Sequence, residues 1–574
     1  MRRLLLIVII AAGASWPPLP SAGARAGDDS QAAAATAAAA TGATLAPAIK
    51  EAERITQAGL KEDLLVVADD RMGGRDTPSP GLDAAAKFIA DRLAKLKLHP
   101  GGDDGTYFQN VTLRSTQVDT ARTRADLSGR QFRYGSDFIP SSYVSGEASA
   151  PLVYVGHGWV VKPKNINAYE GLDVRDKIMI VAGSSSALPK GLTLEEVRTM
   201  KASDWESPVS YAQRNGARGL VFVPRDFDRA WRRGLRSVGR SSYQVERFID
   251  EERTDNKGFD NSLPSILPSA AMLDAIFAGE PRKGEEILRA SVAGEPLKGF
   301  ALDASKRLSF STQLQSTTAK TQNVVGIVEG SDRELRKEYV AVSAHYDHVG
   351  SEASGGGCRP KDGDTICNGA DDDGSGTVAL LSMAAAFSEG RRPRRSVLFI
   401  WHMGEEKGLM GSEYFTKYPT VPIEKIVALL NIDMIGRSRP AANEDVRNKM
   451  LTGPDEIYVV GSRVLSTELG ELNDRVNRSY LNLKYNYHYD KPNDPEQLWT
   501  RSDHFNYALQ GIPIVFFFDG VHEDYHKPSD TPEKIDYRKL ERVTRTIFVL
   551  ASEVANAPRR PVVDKDLPDD MKER

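Results

Sequence analysis

The sequence predicts an α/β protein in which a mixed, largely parallel sheet is sandwiched by helices and interrupted by an inserted α+β module. Three observations carry that expectation. From about Ser316 onward strand-like and helix-like runs alternate almost to the end, which is the pattern of a sheet covered by helices. The runs IVALLNI (426–432) and IPIVFFF (512–518) are apolar nearly throughout, as expected of strands buried on both faces. From about Gly135 the texture changes to short apolar runs broken by turns, as in PLVYVGHGW, KIMIVAGS and GLVFVP, so a separate module divides two stretches that belong together.

At 574 residues the chain exceeds one ordinary core, so two domains with flanking segments are expected. The near balance of 75 basic and 79 acidic residues gives a net charge of -4, which advertises no nucleic-acid partner. A hydrophobic content of 40% suffices for buried cores and is too dispersed for a protein crossing a membrane many times.

In chain order, residues 1–24 join two arginines, an apolar run and a small-residue Ala22-Gly23-Ala24 site, the layout of a cleaved secretory signal peptide. The run is shorter than a bilayer span and Pro17, Pro18 and Pro20 follow it. An exported protein, periplasmic or secreted, without a stable membrane span is expected. Residues 25–47 form an alanine- and threonine-rich leader. The first part of the main domain, 48–134, opens with two helical patterns joined by the turn-rich MGGRDTPSPG, and a strand follows over Tyr107–Leu113. The inserted module covers 135–305, the remainder of the main domain 306–558, and a polar tail 559–574. Within the module His157 reads as a packed or hydrogen-bonded histidine on a strand, and Arg229–Arg240 as a solvated face. Cys358 and Cys367, the two cysteines of the chain, read as a disulfide pinning one loop, with thiolate ligation as the alternative.

Strands are predicted over Asn323–Val328, Tyr339–Ala344, Ser396–Trp401, Ile426–Ile432, Ile457–Val460 and Ile512–Phe518. Helices are predicted over Thr377–Ser388, Val464–Arg478 and Tyr537–Ala555. Ligands of such sheets bind beyond the carboxyl ends of the strands. His345 follows one strand, Glu405 and Glu406 a second, Asp433 a third and His526 a fourth, while Asp372 stands among three aspartates before an apolar helix. Two histidines and three carboxylates without sulfur suit two zinc ions, with cobalt or manganese as substitutes. The natural division puts His345 and Asp433 on one ion, Glu406 and His526 on the other, and Asp372 between them. Asp347 is placed to orient the His345 ring, and Glu405, adjacent to a ligand, to act as general base.

The segments SAHYDHVG, NGADDDGSG, GEEKGLMGS, NIDMIG, SDHFNY and YHKPSDT together resemble the M28 family of zinc metallopeptidases, the aminopeptidase and glutamate carboxypeptidase clan. The resemblance covers about residues 48–112 and 316–555, and the module, with GLDVRDKIMIVAGS and AQRNGARGLVFVP, looks like the protease-associated domain many members carry. It implies a zinc-peptidase/phosphorylase-like fold, the metal ligands given above, Glu405 as base and a metal-bridged hydroxide as the attacking group. Tyr525 matches a tyrosine that holds the oxyanion in some members, or is a buried structural residue; Asp503 and His504 match a stretch near the metals. The expected substrate is a peptide and the expected activity that of an aminopeptidase. A carboxypeptidase or dipeptidase on the same site, a glutaminyl-cyclase-like enzyme and a receptor-like protein without catalysis are the alternatives.

Overall fold

The computed structural model describes residues 45–141, 145–184, 187–255, 263–354, 356–441, 445–490, 494, 496–568 and 571. The expected signal peptide and nearly all of the leader lie outside these residues. Among the described residues no helix is long and apolar enough to cross a membrane.

The main sheet runs in the order Ser242–Val245, Phe108–Val118, Leu314–Val328, Ser396–His402, Tyr339–His345, Ile426–Ile432, Ile514–Phe518, Glu456–Val460, Lys484–Asn486, with His99–Pro100 pairing beside Leu314–Val328. Its centre is parallel, since Tyr339–His345 pairs parallel with both Ser396–His402 and Ile426–Ile432, and the latter parallel with Ile514–Phe518. Leu314–Val328 pairs antiparallel with both its neighbours and Glu456–Val460 antiparallel with Ile514–Phe518, which makes the sheet mixed.

Burial explains why the central strands read as continuous apolar runs. Every residue of Ser396–His402 and of Ile426–Ile432 is buried. Successive side chains point to opposite faces, so Val340, Val342 and Ala344 join the core under helices Gln57–Val67, Pro80–Lys95, Gly376–Glu389 and Tyr537–Asn556. Ala341, Leu398 and Leu429 join the opposite core with Phe415, Phe505 and Tyr507, from helices Met410–Lys417 and His504–Leu509. Helix starts follow the local sequence: Thr56, Ser79 and Ser466 each accept a backbone N–H of the first turn, and Pro80 occupies a position where its missing N–H costs nothing.

A second sheet holds Arg130–Arg133, Arg124–Leu127, Arg307–Thr312, Gly146–Tyr154, Ile178–Ala182, Gly219–Val223, Ser265–Pro268 and Phe138–Pro140, with Phe300–Ala301 beside Gly146–Tyr154. Its strands therefore come from 124–312. The chain leaves and re-enters the main sheet side by side, because Phe108–Val118 and Leu314–Val328 pair along their length down to Val118 opposite Leu314. One strand from inside this stretch, Ser242–Val245, returns to pair with the edge of the main sheet.

Three local readings are refined. His157 lies beyond the end of Gly146–Tyr154, in a turn between Gly156 and Gly158, both at positive φ, and its Nδ1 accepts the Trp159 N–H. Arg229–Arg236 lie on a largely exposed helix, Phe227–Ser237, whereas Arg240 beyond it donates to the Gly356 carbonyl. The polar tail is not free throughout: Leu567 and Met571 are buried in the core that contains Phe505 and Ile514, and Asp564 accepts the Thr467 N–H.

Candidate metal centre

The site gathers where the four parallel strands end. Strand Tyr339–His345 delivers the buried His345, whose backbone carbonyl accepts the Thr377 hydroxyl, so the strand end is tied to helix Gly376–Glu389. The chain then passes through Asp347 and His348 into a loop closed by the Cys358–Cys367 disulfide and returns as Gly369–Ser375. Gly369 has φ 58°, and a Cβ there would stand 2.3 Å from the Asp372 carbonyl oxygen and 2.5 Å from the His348 ring. Only glycine lets the aspartate loop close so tightly on His348.

Asp372 stands between two clusters. Its Oδ1 lies 3.3 Å from His345 Nε2, and its Oδ2 lies 3.1 Å from His526 Nε2. Around the first oxygen, His345 Nε2 is 3.6 Å from Asp433 Oδ1. Around the second, Glu406 places Oε2 3.0 Å from His526 Nε2 and Oε1 3.0 Å from His348 Nδ1. Two groups result whose donor atoms lie within 4.8 Å of one another: His345, Asp373 and Asp433, and His348, Asp372, Glu406 and His526.

All five residues expected as ligands are thus brought together, with His526 serving one group and His345 the other. His348 and Asp373 were not anticipated. His348 sits one residue past Asp347 in the same strand-end run, so its position beyond a sheet edge was the available signal. Asp373 also accepts the N–H groups of Gly376 and Met434, which is a capping task for a carboxylate at a helix start.

The chemistry of this donor set is that of a cation site. His345 Nε2, both His348 ring nitrogens, His526 Nε2, Glu406 Oε1 and Asp372 Oδ2 are buried without a hydrogen-bond partner. Buried polar atoms are normally paired, and orphaned imidazole nitrogens aimed at orphaned carboxylate oxygens fit divalent ions with nitrogen and oxygen ligands. Burial works against charge on Glu406, yet His526 and His348 hold its pKa down at about 2. For His526, burial is outweighed by Glu406 and Asp372, which raise it to about 10.

The other expected residues surround the pair. Asp347 approaches His345 Nδ1 with its backbone carbonyl at 3.1 Å and its carboxylate at 3.6 Å, while the carboxylate accepts the Thr77 hydroxyl and the Glu405 N–H. Glu405 reaches 4.0 Å from His345 Nε2, on a tight turn with Gly404 at φ 67° and Gly408 at φ 101°. Burial, reinforced by Asp433, Glu406 and Asp503, pushes its carboxyl well above the ordinary range against the pull of His345. Tyr525 stacks on His526 with centroids 3.8 Å apart, and burial beside Asp372, Glu406 and Glu405 keeps its hydroxyl protonated. Asp503 is fully buried with both oxygens unpaired, its pKa raised by burial to about 7; the His504 Nε2–H donates to the Trp499 carbonyl.

Behind the donors lies a charged frame that sequence reasoning missed. Asp530 accepts the N–H groups of Asp371 and Asp372. Asp371 accepts from Gly436 and faces His522 at 3.3 Å. The fully buried Arg75 donates to the carbonyls of Val67, Tyr346, Asn368 and Gly369, tying a helix end to both strands of the aspartate loop.

Fold and site together define a two-cluster histidine–carboxylate centre at the carboxyl edge of a helix-covered α/β sheet. Residues 323–551 match the model of Peptidase family M28. A probable leucine aminopeptidase of Trichophyton verrucosum is 26% identical over 264 residues, covering 42% of this chain and 65% of that protein. Leupeptin-inactivating enzyme 1 of Streptomyces exfoliatus is 31% identical over 283 residues, covering 48% of this chain and 53% of that one. The chain thus spans less than two thirds of these relatives' own lengths. Among solved structures, an aminopeptidase from Aneurinibacillus sp. strain AM-1 shares the fold with a TM-score of 0.50 at 16% identity, covering 90% of this chain and 99% of that one.

Proposed function

We propose that the protein is an exported zinc aminopeptidase that removes N-terminal residues from peptides. The observation that carries this reading is the split of Asp372, one oxygen facing His345 and the other facing His526, with Glu405 lining the same pocket. His345 and Asp433 would hold one zinc ion, Glu406 and His526 the other, and Asp372 both, with Asp373 and His348 adjoining. Zinc bound there would supply a water of lowered pKa and positive charge opposite the scissile carbonyl.

The chain's own residues do the rest. Glu405 takes the proton of the attacking water and hands it to the leaving amine; a carboxyl raised by burial is better matched to that double task than one at the ordinary value. Tyr525, kept neutral, donates its hydroxyl to the oxygen that gains charge in the transition state. Asp347 fixes the His345 ring. The names of the relatives, leucine aminopeptidases among them, favour release of an N-terminal residue over the other exopeptidase reactions. The disulfide and the signal-like N-terminus favour export. We assign the second sheet to a protease-associated module that limits access to the site.

The test compares free and N-acetylated peptides with and without a chelator. Hydrolysis of the free-amine peptide alone, abolished by the chelator and restored by zinc, is expected; activity indifferent to the chelator would overturn the reading. The E405Q variant should bind zinc at unchanged stoichiometry while kcat falls by roughly 10²–10⁴.

A further inference from the structure

The pocket that opens onto Glu405 is bipolar. Asp372, Glu405 and Asp433 form its acidic end, and Met434, Leu498, Phe516, Phe518 and Val521 make up most of its wall. Among the described residues, Arg501 is the one cation in its lining. Arg501 is exposed, and among the described residues its guanidinium has neither an ion-pair partner nor a hydrogen-bond acceptor.

That arginine is held by its neighbours and not left on a loose loop. Leu498 and Trp499 before it are buried, and Ser502, Asp503 and His504 after it are buried as well. The Ser502 hydroxyl accepts Asn431 Nδ2 at 2.9 Å, and His504 binds back to the Trp499 carbonyl at 3.0 Å. The backbone on both sides is thus fixed to the sheet and to itself, which narrows where the Arg501 head can go. Tyr525 lines the same pocket.

We infer that Arg501 is a specificity-determining residue that pairs with the C-terminal carboxylate of a short peptide, so that the favoured substrates are dipeptides with an apolar first residue. This deepens the peptidase reading above and rests on it. The free amine would be drawn to the acidic end and the apolar side chain to the Phe516–Phe518 wall. A planar guanidinium at the rim matches a carboxylate with two parallel hydrogen bonds. An acidic side chain would place its charge against the apolar wall, where desolvation works against it. A C-terminal carboxylate would stay at the rim, beside the exposed cation.

The experiment measures kcat/KM of the zinc-loaded wild-type, R501Q and R501K proteins on Leu-Gly, on Leu-Gly amide and on Glu-Gly amide. Wild type should favour Leu-Gly over its amide by roughly tenfold. R501Q should bring the ratio close to one through a rise in KM for Leu-Gly, and R501K should restore part of it, which a purely structural role would not. A wild-type ratio near one, or a ratio unchanged in R501Q, overturns the inference. Preference for Glu-Gly amide that disappears in R501Q assigns the carboxylate to the side chain and overturns the C-terminal assignment. Absence of hydrolysis of every peptide by the zinc-loaded wild type would overturn the peptidase reading itself, and the inference with it.

Discussion

Replacing Arg75 by methionine should show how far the metal centre depends on a residue that makes no contact with a ligand side chain. Its guanidinium donates to four backbone carbonyls, at 2.8 Å to Val67, 2.8 Å to Tyr346, 2.6 Å to Asn368 and 2.9 Å to Gly369. The side chain is completely buried, and burial lowers its pKa although Asp372, Asp347, Asp373 and Asp530 all favour its charge. R75M therefore leaves the buried carbonyls of Val67, Tyr346 and Asn368 without a donor, since Gly369 still accepts the Gly374 N–H, and takes a positive charge from behind the acidic cluster. At ~1 kcal/mol or more for each of the three orphaned acceptors, the loss should be about 3 kcal/mol. That is a large part of the ~5–15 kcal/mol that stabilises a typical domain. The assay is urea unfolding of the zinc-free protein, followed by zinc titration in the absence of denaturant. R75M should unfold at markedly lower urea and bind zinc more weakly, because Asn368, Gly369 and Tyr346 flank the segments bearing Asp372 and His345. R75K should recover only part of the loss, since an ammonium has three donors and no fork geometry. A loss below ~1 kcal/mol with unchanged zinc affinity would refute the idea that Arg75 holds the two site loops together.

Three further outcomes are expected. H348Q should weaken zinc binding by roughly 10–100-fold at the Glu406–His526 side, since His348 contacts Glu406 at 3.0 Å within that cluster; two zinc ions bound as tightly as in wild type would count against a role for His348. Removing the Cys358–Cys367 link, with its separation of nine residues, as C358A/C367A should cost roughly 2–3 kcal/mol from loop closure, read as a lower thermal midpoint. Finally, burial against Phe516, with ring centroids 4.4 Å apart, depresses the pKa of His504 to about 3. The unfolded chain, with its histidine near 6.5, binds the extra proton first. The stabilisation is complete above about pH 6.5 and is lost as pH falls toward 3, with a slope of up to ~1.4 kcal/mol per pH unit. H504Q should flatten the fall of the urea midpoint between pH 6.5 and 4; an unchanged profile would rule out His504 as its source.

The sequence by itself determined the sheet and its rim. Ile426–Ile432 is a strand with the bounds its apolar run suggested, and Tyr537–Asn556 a helix extended by one residue, because the strand is buried on both faces and the helix packs a long apolar stretch into the core. His345, Glu405, Glu406, Asp433 and His526 were legible since each stands at the end of a strand or in the segment that follows one, and parallel strands bring such ends together whatever lies between. The tertiary structure alone decided what sits around them. Arg75 came from a stretch legible only as a turn, yet its side chain reaches carbonyls nearly three hundred residues away in sequence. Likewise, Asp530 holds the backbone of the aspartate loop, His348 joins one cluster, and Ser242–Val245 crosses from the inserted stretch to the edge of the main sheet. Periodicity records which face of an element is buried. It does not record which distant backbone groups a buried polar side chain must satisfy, because those partners are set by how the loops pack after the sheet has formed.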